Sequence, residues 1–234
     1  MFADVHSHIL CEIDDGARDI EETKELLVQL RKNGVTHLAL TPHYYPHKRS
    51  VRSFSEKRDG LFQGVKALPE AKHFVFSLGA EVYLGETLFN NESLDPLCYR
   101  GTRYMLTELE YSPYFTDATK YRLLHLIEDY NVIPVLAHID RYSFLWKDME
   151  LLAELKRMGC CFQVNFSALR GFFSRRQAMK LYKNGFLDFI GEDVHHSVVP
   201  SAERKKYLTQ TEKSCPGFAG SVSREAVSRL FVSR

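Results

Sequence analysis

The chain has 234 residues, 44% of them hydrophobic and 26% charged, with a formal net charge of +1. This is the balance of a soluble globular protein with a full core, the length suits one large domain such as an α/β barrel, and the charge excludes a global pull toward nucleic acid or an anionic membrane. The cysteines (Cys11, Cys98, Cys160, Cys161 and Cys215) are odd in number and show no Cys-x-x-Cys spacing, and no apolar run approaches a membrane span. A disulfide framework is therefore not expected, nor direct membrane insertion, and the cytoplasm is the expected compartment.

Helix and strand patterns alternate along the chain. Phe2 to Ile9 reads as a first strand, in which His6 and His8 share a face and suit one metal ion; Asp14-Asp15-Gly16 follows. Asp19 to Asn33 reads as a helix, with Asp19 as N-cap, Glu22 completing a capping box and Gly34 as stop. Thr36 to Thr41 is a strand closed by Pro42-His43, and Ser53 to Leu68 a helix stopped by Pro69. Phe74 to Leu78 is a third strand, ending at Gly79-Ala80-Glu81, and Tyr104 to Leu109 a fourth, containing Glu108. A helix from Tyr121 to Tyr130 leads into a strand from Val132 to His138. Asp148 to Met158 is helical, Cys160 to Asn165 a strand, and Ser174 to Asn184 a helix opened by a Ser174/Gln177 capping box. Phe186 to Gly191 is the seventh strand, followed by Glu192-Asp193-Val194-His195-His196. From Pro200 the tail suggests two short helices around a Gly/Ser loop near 216–221.

Seven alternating units imply a parallel sheet, with a closed or nearly closed barrel favoured over a doubly wound open sheet. In a barrel the strand ends share one face. That face collects His6, His8, Asp15, His43, Glu81, Glu108, His138, Asp193 and His195. Singly, each has an ordinary structural reading: a buried histidine bonded to backbone, a glutamate paired with arginine, a loop. Together they form a histidine and carboxylate set without thiolate, suited to two or three manganese, iron or zinc ions, with Glu81 as the bridge.

The stretches "DVHSHIL", "DDG", "TPHYYP", "LGAEVYL", "RYMLTEL", "PVLAHIDRY", "GC" with "QVN", and "GEDVHH" occur in this order over residues 4 to about 196. As a set they resemble the PHP (polymerase and histidinol phosphatase) superfamily. More closely, they resemble the manganese-dependent protein tyrosine phosphatases of the CpsB/YwqE type from capsule and exopolysaccharide operons. The resemblance implies an α/β fold, a PHP-type distorted (β/α)7 TIM-like barrel. It implies a single PHP phosphatase domain over 1–234, with the barrel at about 1–196 and a helical tail at about 200–234. It places His6, His8, Glu81 and Asp193 on one ion, Glu81, Glu108 and His138 on a second, and Asp15, His43 and His195 on a third. Arg141 matches the family's phosphate-binding arginine. The Arg-Pro pair that follows the last Asp-x-His motif in the family is missing here; Arg204 is the nearest arginine and a second candidate for substrate binding. The usual Asn-Pro motif of the tail is missing too.

The resemblance implies hydrolysis of phosphotyrosine on a protein, as on the tyrosine-rich tail of a membrane-associated bacterial tyrosine kinase that controls capsule or exopolysaccharide synthesis. Divalent ions, manganese first, would activate water for in-line attack, with Arg141 gripping the phosphoryl oxygens and His195 available to protonate the phenolate. Histidinol phosphate or another small phosphoester is the alternative substrate. A nuclease and a non-catalytic regulator of a phosphorylated partner are the other classes; a homo-oligomer stays open. Positions six after the cysteines are Ala17, Tyr104, Phe166, Ser167 and Ser221, so the Cys-x5-Arg signature of thiol phosphatases is absent. The run Lys48-Arg49-Ser50-Val51-Arg52 with Tyr44, Tyr45 and Phe54 is either a solvated face or a rim for an acidic tail. Tyr111, Tyr114 and Phe115 are candidate aromatic walls.

Overall fold

Short apolar strands, buried on both sides, determine the architecture. In the computed structural model, which describes residues 2–232, they are β1 (Phe2–Asp4), β2 (Val35–Leu40), β3 (His43–Tyr44), β4 (Val75–Leu78), β5 (Glu81–Tyr83), β6 (Tyr104–Glu108), β7 (Ile133–Leu136), β8 (Cys161–Asn165) and β9 (Phe189–Gly191). The helices are α1 (Ile20–Lys32), α2 (Val51–Lys66), α3 (Asp117–Glu128), α4 (Ser143–Lys147), α5 (Met149–Met158), α6 (Phe172–Lys183), α7 (Ser201–Ser214) and α8 (Phe218–Leu230). All strand pairs are parallel, in the orders β1-β2-β4 and β3-β5-β6-β7-β8-β9.

The sheet curls until its outer strands meet. Val5 N–H donates to Ile190 O at 3.4 Å, Asp193 N–H to His6 O at 2.9 Å and His8 N–H to Val194 O at 2.8 Å. Ser7 and Val194 form an isolated parallel bridge. The first strand is thus regular only to Asp4. Beyond it, residues 5–8 are held between two neighbours, with Val5, His6 and His8 bonded to β9 and the segment after it and Ser7 to Thr41.

The expected second and third strands are each split. Pro42 has no N–H to offer the ladder, so β2 ends and β3 resumes at His43. β4 stops before Gly79-Ala80 and β5 resumes at Glu81, in register with His43. The two short strands that resume, β3 and β5, therefore carry two of the acid and imidazole groups of interest, His43 and Glu81.

Helix starts follow their caps. Asp19 Oδ1 accepts Glu22 N–H at 2.9 Å, as its position predicts, but Glu22 Oε2 reaches Arg18 N–H at 2.7 Å instead of the Asp19 N–H. Ser50 and Thr116 cap α2 and α3, which begin earlier than the apolar spacing suggested. The Ser174/Gln177 box does not form: α6 starts at Phe172 after Gly171, and the Ser174 hydroxyl lies inside the helix, donating to Gly171 O. The tail does have two helices, with Ser221 inside α8 and the break confined to the Cys215-Pro216-Gly217 turn. α8 covers one end of the sheet, where Ala226 and Leu230 pack with Ala3, Val5, Leu106, Val135 and Phe189.

Candidate metal centre

β1 delivers His6 and His8 to the carboxyl end of the sheet, and Glu81 at the start of β5 lies beneath them. Glu81 Oε2 is 3.1 Å from His6 Nε2, 3.2 Å from His8 Nε2 and 3.1 Å from His43 Nδ1, while its Oε1 is 2.7 Å from His138 Nε2. Asp193 Oδ1 lies 3.5 Å from both His6 Nε2 and His8 Nε2. Glu108 stands farther out, its Oε1 3.9 Å from His138 Nε2. On the other side, Asp15 Oδ1 is 3.6 Å from His43 Nε2 and 3.5 Å from His195 Nε2. The His195 ring stacks on His8 with centroids 4.1 Å apart.

All nine residues singled out as metal ligands thus come together. Three sets have ligand atoms close enough to share an ion: His6, His8, Glu81 and Asp193; His8, Asp15, His43 and His195; and His43, Glu81 and Glu108. The first is the set inferred from resemblance. The third-ion set gains His8. In the remaining set His43 takes the place given to His138, which instead hydrogen-bonds Glu81.

Residues outside the inferred set orient the rings. Gln163 Oε1 accepts the backbone N–H of His138 at 2.6 Å and faces His6 Nδ1 at 3.3 Å. An amide oxygen only accepts, so His6 Nδ1 carries the hydrogen and its Nε2 faces the pocket. Asp14 Oδ2 does the same for His8, at 2.8 Å from Nδ1. Gln163 Nε2 in turn donates to Asn165 Oδ1, and Asn165 Nδ2 to Asp193 Oδ2. His138 and Asp193, both ligand candidates, have left-handed backbone with φ of 32° and 54°. The "DDG" and "QVN" stretches contained Asp14, Gln163 and Asn165, but only Asp15 carried an obvious ligand pattern.

The electrostatics fit a cation. His6 Nε2 and His8 Nε2 point at each other across 3.0 Å, two lone pairs that repel unless positive charge lies between them. Glu81 Oε2 is buried and, although three imidazole nitrogens lie within 3.2 Å, none is in hydrogen-bond alignment with it among the described residues. Burial alone would lower the His6 and His8 pKa values, yet the carboxylates around them win and both are raised. Burial opposes ionisation of Glu81, but the imidazoles of His6, His138 and His8 hold it well below the usual range. Glu108 is pushed up to about 7 by burial and by the charge of Glu81. His6 and His8, onto which the carboxylates draw protons in this way, become donors for divalent ions when those protons leave, whereas burial lowers His43.

Arg141 is half exposed and pairs with Asp193 Oδ2, not with Glu108 or Asp140. Arg204 lies elsewhere than a phosphate ligand would. It is 1% exposed, paired with Glu192, and sandwiched between the rings of Phe2 and Phe166 at 4.2 Å from each centroid. Such a guanidinium is enclosed by core and has no path to a solvent-borne phosphoryl group. Tyr44 and Phe54 are buried and belong to the core, whereas Tyr45, Lys48 and Arg49 line a cavity of about 380 Å³ with Asp15 and His43. Tyr114 and Phe115 line a separate cavity, with Phe144 and Met149, and Tyr111 stands in solvent. The five cysteines are all buried, and burial pushes Cys98 and Cys160 up to about 12 and Cys161 to about 11, so none is a ready nucleophile.

Residues 2–226 match the family described as capsular polysaccharide synthesis, CpsB/CapC. CapC of Staphylococcus aureus is 30% identical over 206 residues, covering 82% of this chain and 76% of that protein. The tyrosine-protein phosphatase CpsB of Streptococcus pneumoniae is 29% identical over 208 residues, 82% of each chain. A solved chain from work on YwqE of Bacillus subtilis and CpsB of Streptococcus pneumoniae, described as metal-dependent tyrosine phosphatases, superposes with a TM-score of 0.77 at 21% identity. It covers 98% of this chain and 94% of that one, a likeness of fold.

Proposed function

The chain belongs to the CpsB/CapC family of capsular polysaccharide synthesis, and from that premise we propose that it is a metal-dependent phosphomonoesterase acting on phosphotyrosine in a protein. The observation that carries this reading is Glu81: one buried carboxylate with imidazole nitrogens from His6, His8, His43 and His138 all within 3.2 Å. Two or three divalent ions, manganese first and iron or zinc as alternatives, would be held by His6, His8, Asp15, His43, Glu81, Glu108, His138, Asp193 and His195. When bound, such ions supply Lewis acidity that activates water and neutralises phosphoryl charge. On the same reading the curled sheet is a distorted seven-stranded (β/α)7 barrel, and residues 1–234 act as one catalytic domain in the cytoplasm.

The protein's own groups do the rest. Asp14 and Gln163 fix the His8 and His6 rings so that both Nε2 atoms face the pocket. Arg141, on the rim, exchanges Asp193 for two phosphoryl oxygens, which its planar fork suits. Tyr45, stacked on His43 with centroids 5.3 Å apart, offers an aromatic wall for the substrate phenyl ring. Phenol, with a pKa near ~10, leaves more easily than an alkoxide, so little acid help is needed; His195 Nε2 is placed to give the proton when it is not a ligand. The substrate we favour is the tyrosine-rich tail of a membrane-associated kinase governing capsule or exopolysaccharide synthesis, with histidinol phosphate as the competing substrate.

The test is elemental analysis of purified protein, then hydrolysis of phosphotyrosine peptide, phosphoserine peptide and histidinol phosphate before chelation, after it, and on re-addition of manganese. Phosphotyrosine hydrolysis that chelation abolishes and manganese restores is expected. Activity indifferent to chelation, or a preference for histidinol phosphate, would overturn the reading.

A further inference from the structure

The near-neutral total conceals an uneven distribution of charge. Between Glu154 and Asp188 the chain carries seven basic residues and no acidic one. This stretch includes β8 and the whole of α6. Because α6 leaves the carboxyl end of β8, its first residues lie at the end of the sheet that holds the metal centre. There Phe172 and Phe173 stand 65% and 83% exposed, their rings edge to face. Two neighbouring phenyl rings in water are costly unless something covers them.

From Phe172 the exposed positions continue as Arg176, Lys180 and Lys183, spacings of four, four and three that form one stripe down the helix. Lys213 of α7 joins them across an open groove of about 990 Å³. None of these four cations makes an ion pair among the described residues, although Arg170 nearby is paired with Glu203.

We propose that this stripe docks the protein on an anionic lipid bilayer, with Phe172 and Phe173 entering the headgroup layer and Arg176, Lys180, Lys183 and Lys213 facing the lipid charges. Vicinal exposed phenyls beside a basic helix face are the features that hold a helix at a membrane surface. Three of the four cations are lysines, point charges suited to a diffuse anionic surface. An acidic peptide would favour the forked pairing of arginine. The docked orientation brings the mouth of the metal centre beside the bilayer. The proposal does not depend on the phosphatase reading.

The test is co-sedimentation of the full chain with phosphatidylserine/phosphatidylcholine vesicles and with phosphatidylcholine alone, at low and high salt. Binding to the anionic vesicles only, weakened by salt, is expected, since each surface cation contributes roughly fivefold to partitioning. The R176E/K180E variant should partition more than about tenfold less, and F172S/F173S should also bind more weakly. Circular dichroism spectra unchanged from the parent establish that both variants fold. Wild-type protein left in the supernatant with anionic vesicles, or R176E/K180E binding as well as wild type, overturns the proposal. So does capture by immobilised polyglutamate with no vesicle binding, which would mark the stripe as a protein-docking face.

Discussion

Glu81 is the residue at which the most interactions meet. A charge-neutral replacement of the same shape, Glu81→Gln, keeps the packing but removes the counter-charge to four imidazoles. Bound metal should fall by at least one ion and turnover by roughly two orders of magnitude or more, checked by elemental analysis beside phosphatase assays. Gln163 acts one step further out. Gln163→Leu strips the acceptor from the His138 N–H and from His6 Nδ1. Metal affinity should weaken about 10–100-fold, and stability should drop by about 1–3 kcal/mol, read by metal titration and denaturant unfolding; unchanged affinity would mean that packing alone holds the His6 ring. The imidazoles also set a pH dependence with two opposite signs. His6 and His8 are raised above their ordinary value of 6.5 in the metal-free protein, so their contribution to its stability is complete below about that pH. It is lost as pH rises through the elevated values. Metal binding needs the same nitrogens unprotonated, so affinity should rise over that interval and proton release should accompany loading. Calorimetric Tm of the metal-free protein and manganese titrations in buffers of different ionisation enthalpy would separate the two trends.

Elements differ in how directly they serve the centre, and two substitutions express the difference. Asp19→Ala removes the α1 cap and should cost about 1 kcal/mol while leaving kcat alone. Gly191→Ala, at the end of β9, would place a Cβ 2.5 Å from His6 Cβ and 2.8 Å from Gln163 Nε2. It should lower both stability, by about 1–3 kcal/mol, and metal affinity; a variant that loses neither would show that the two strands have room to part. Much of this level was legible in the sequence, because apolar runs ending in His, Glu or Asp give both strand direction and ligand placement. The splitting of the second and third strands was not, since Pro42 and Gly79 read equally well as strand ends. Asp14, Gln163 and Asn165 were missed for a related reason. Asp14 and Gln163 serve ring nitrogens and backbone N–H groups of distant segments, and Asn165 reaches the Asp193 carboxylate of another; no local spacing records that. Arg204 was misplaced because a lone arginine near a ligand motif looks the same in sequence whether it faces solvent or lies between Phe2 and Phe166. The α6 cap failed because Gly171 supplied a start upstream of Ser174.

At the scale of the whole molecule, β1 and α8 meet at the end of the sheet opposite the candidate metal centre. Ala3 N–H donates to Ser223 Oγ at 3.4 Å, and Ala226 and Leu230 of α8 complete the core around Val5 and Phe189. Removing residues 216–234 should therefore leave that apolar floor open to water, giving a protein that binds a hydrophobic dye and aggregates. A soluble, cooperatively folding truncation would show instead that the strands close without α8. The contact across 220 positions has a further consequence for synthesis. β1 is made long before its β9 and α8 neighbours, which follow it by most of the described residues. Until those neighbours exist the two histidines that follow β1 stand on an unclosed sheet, so the pocket around them can close only once α8 has been added.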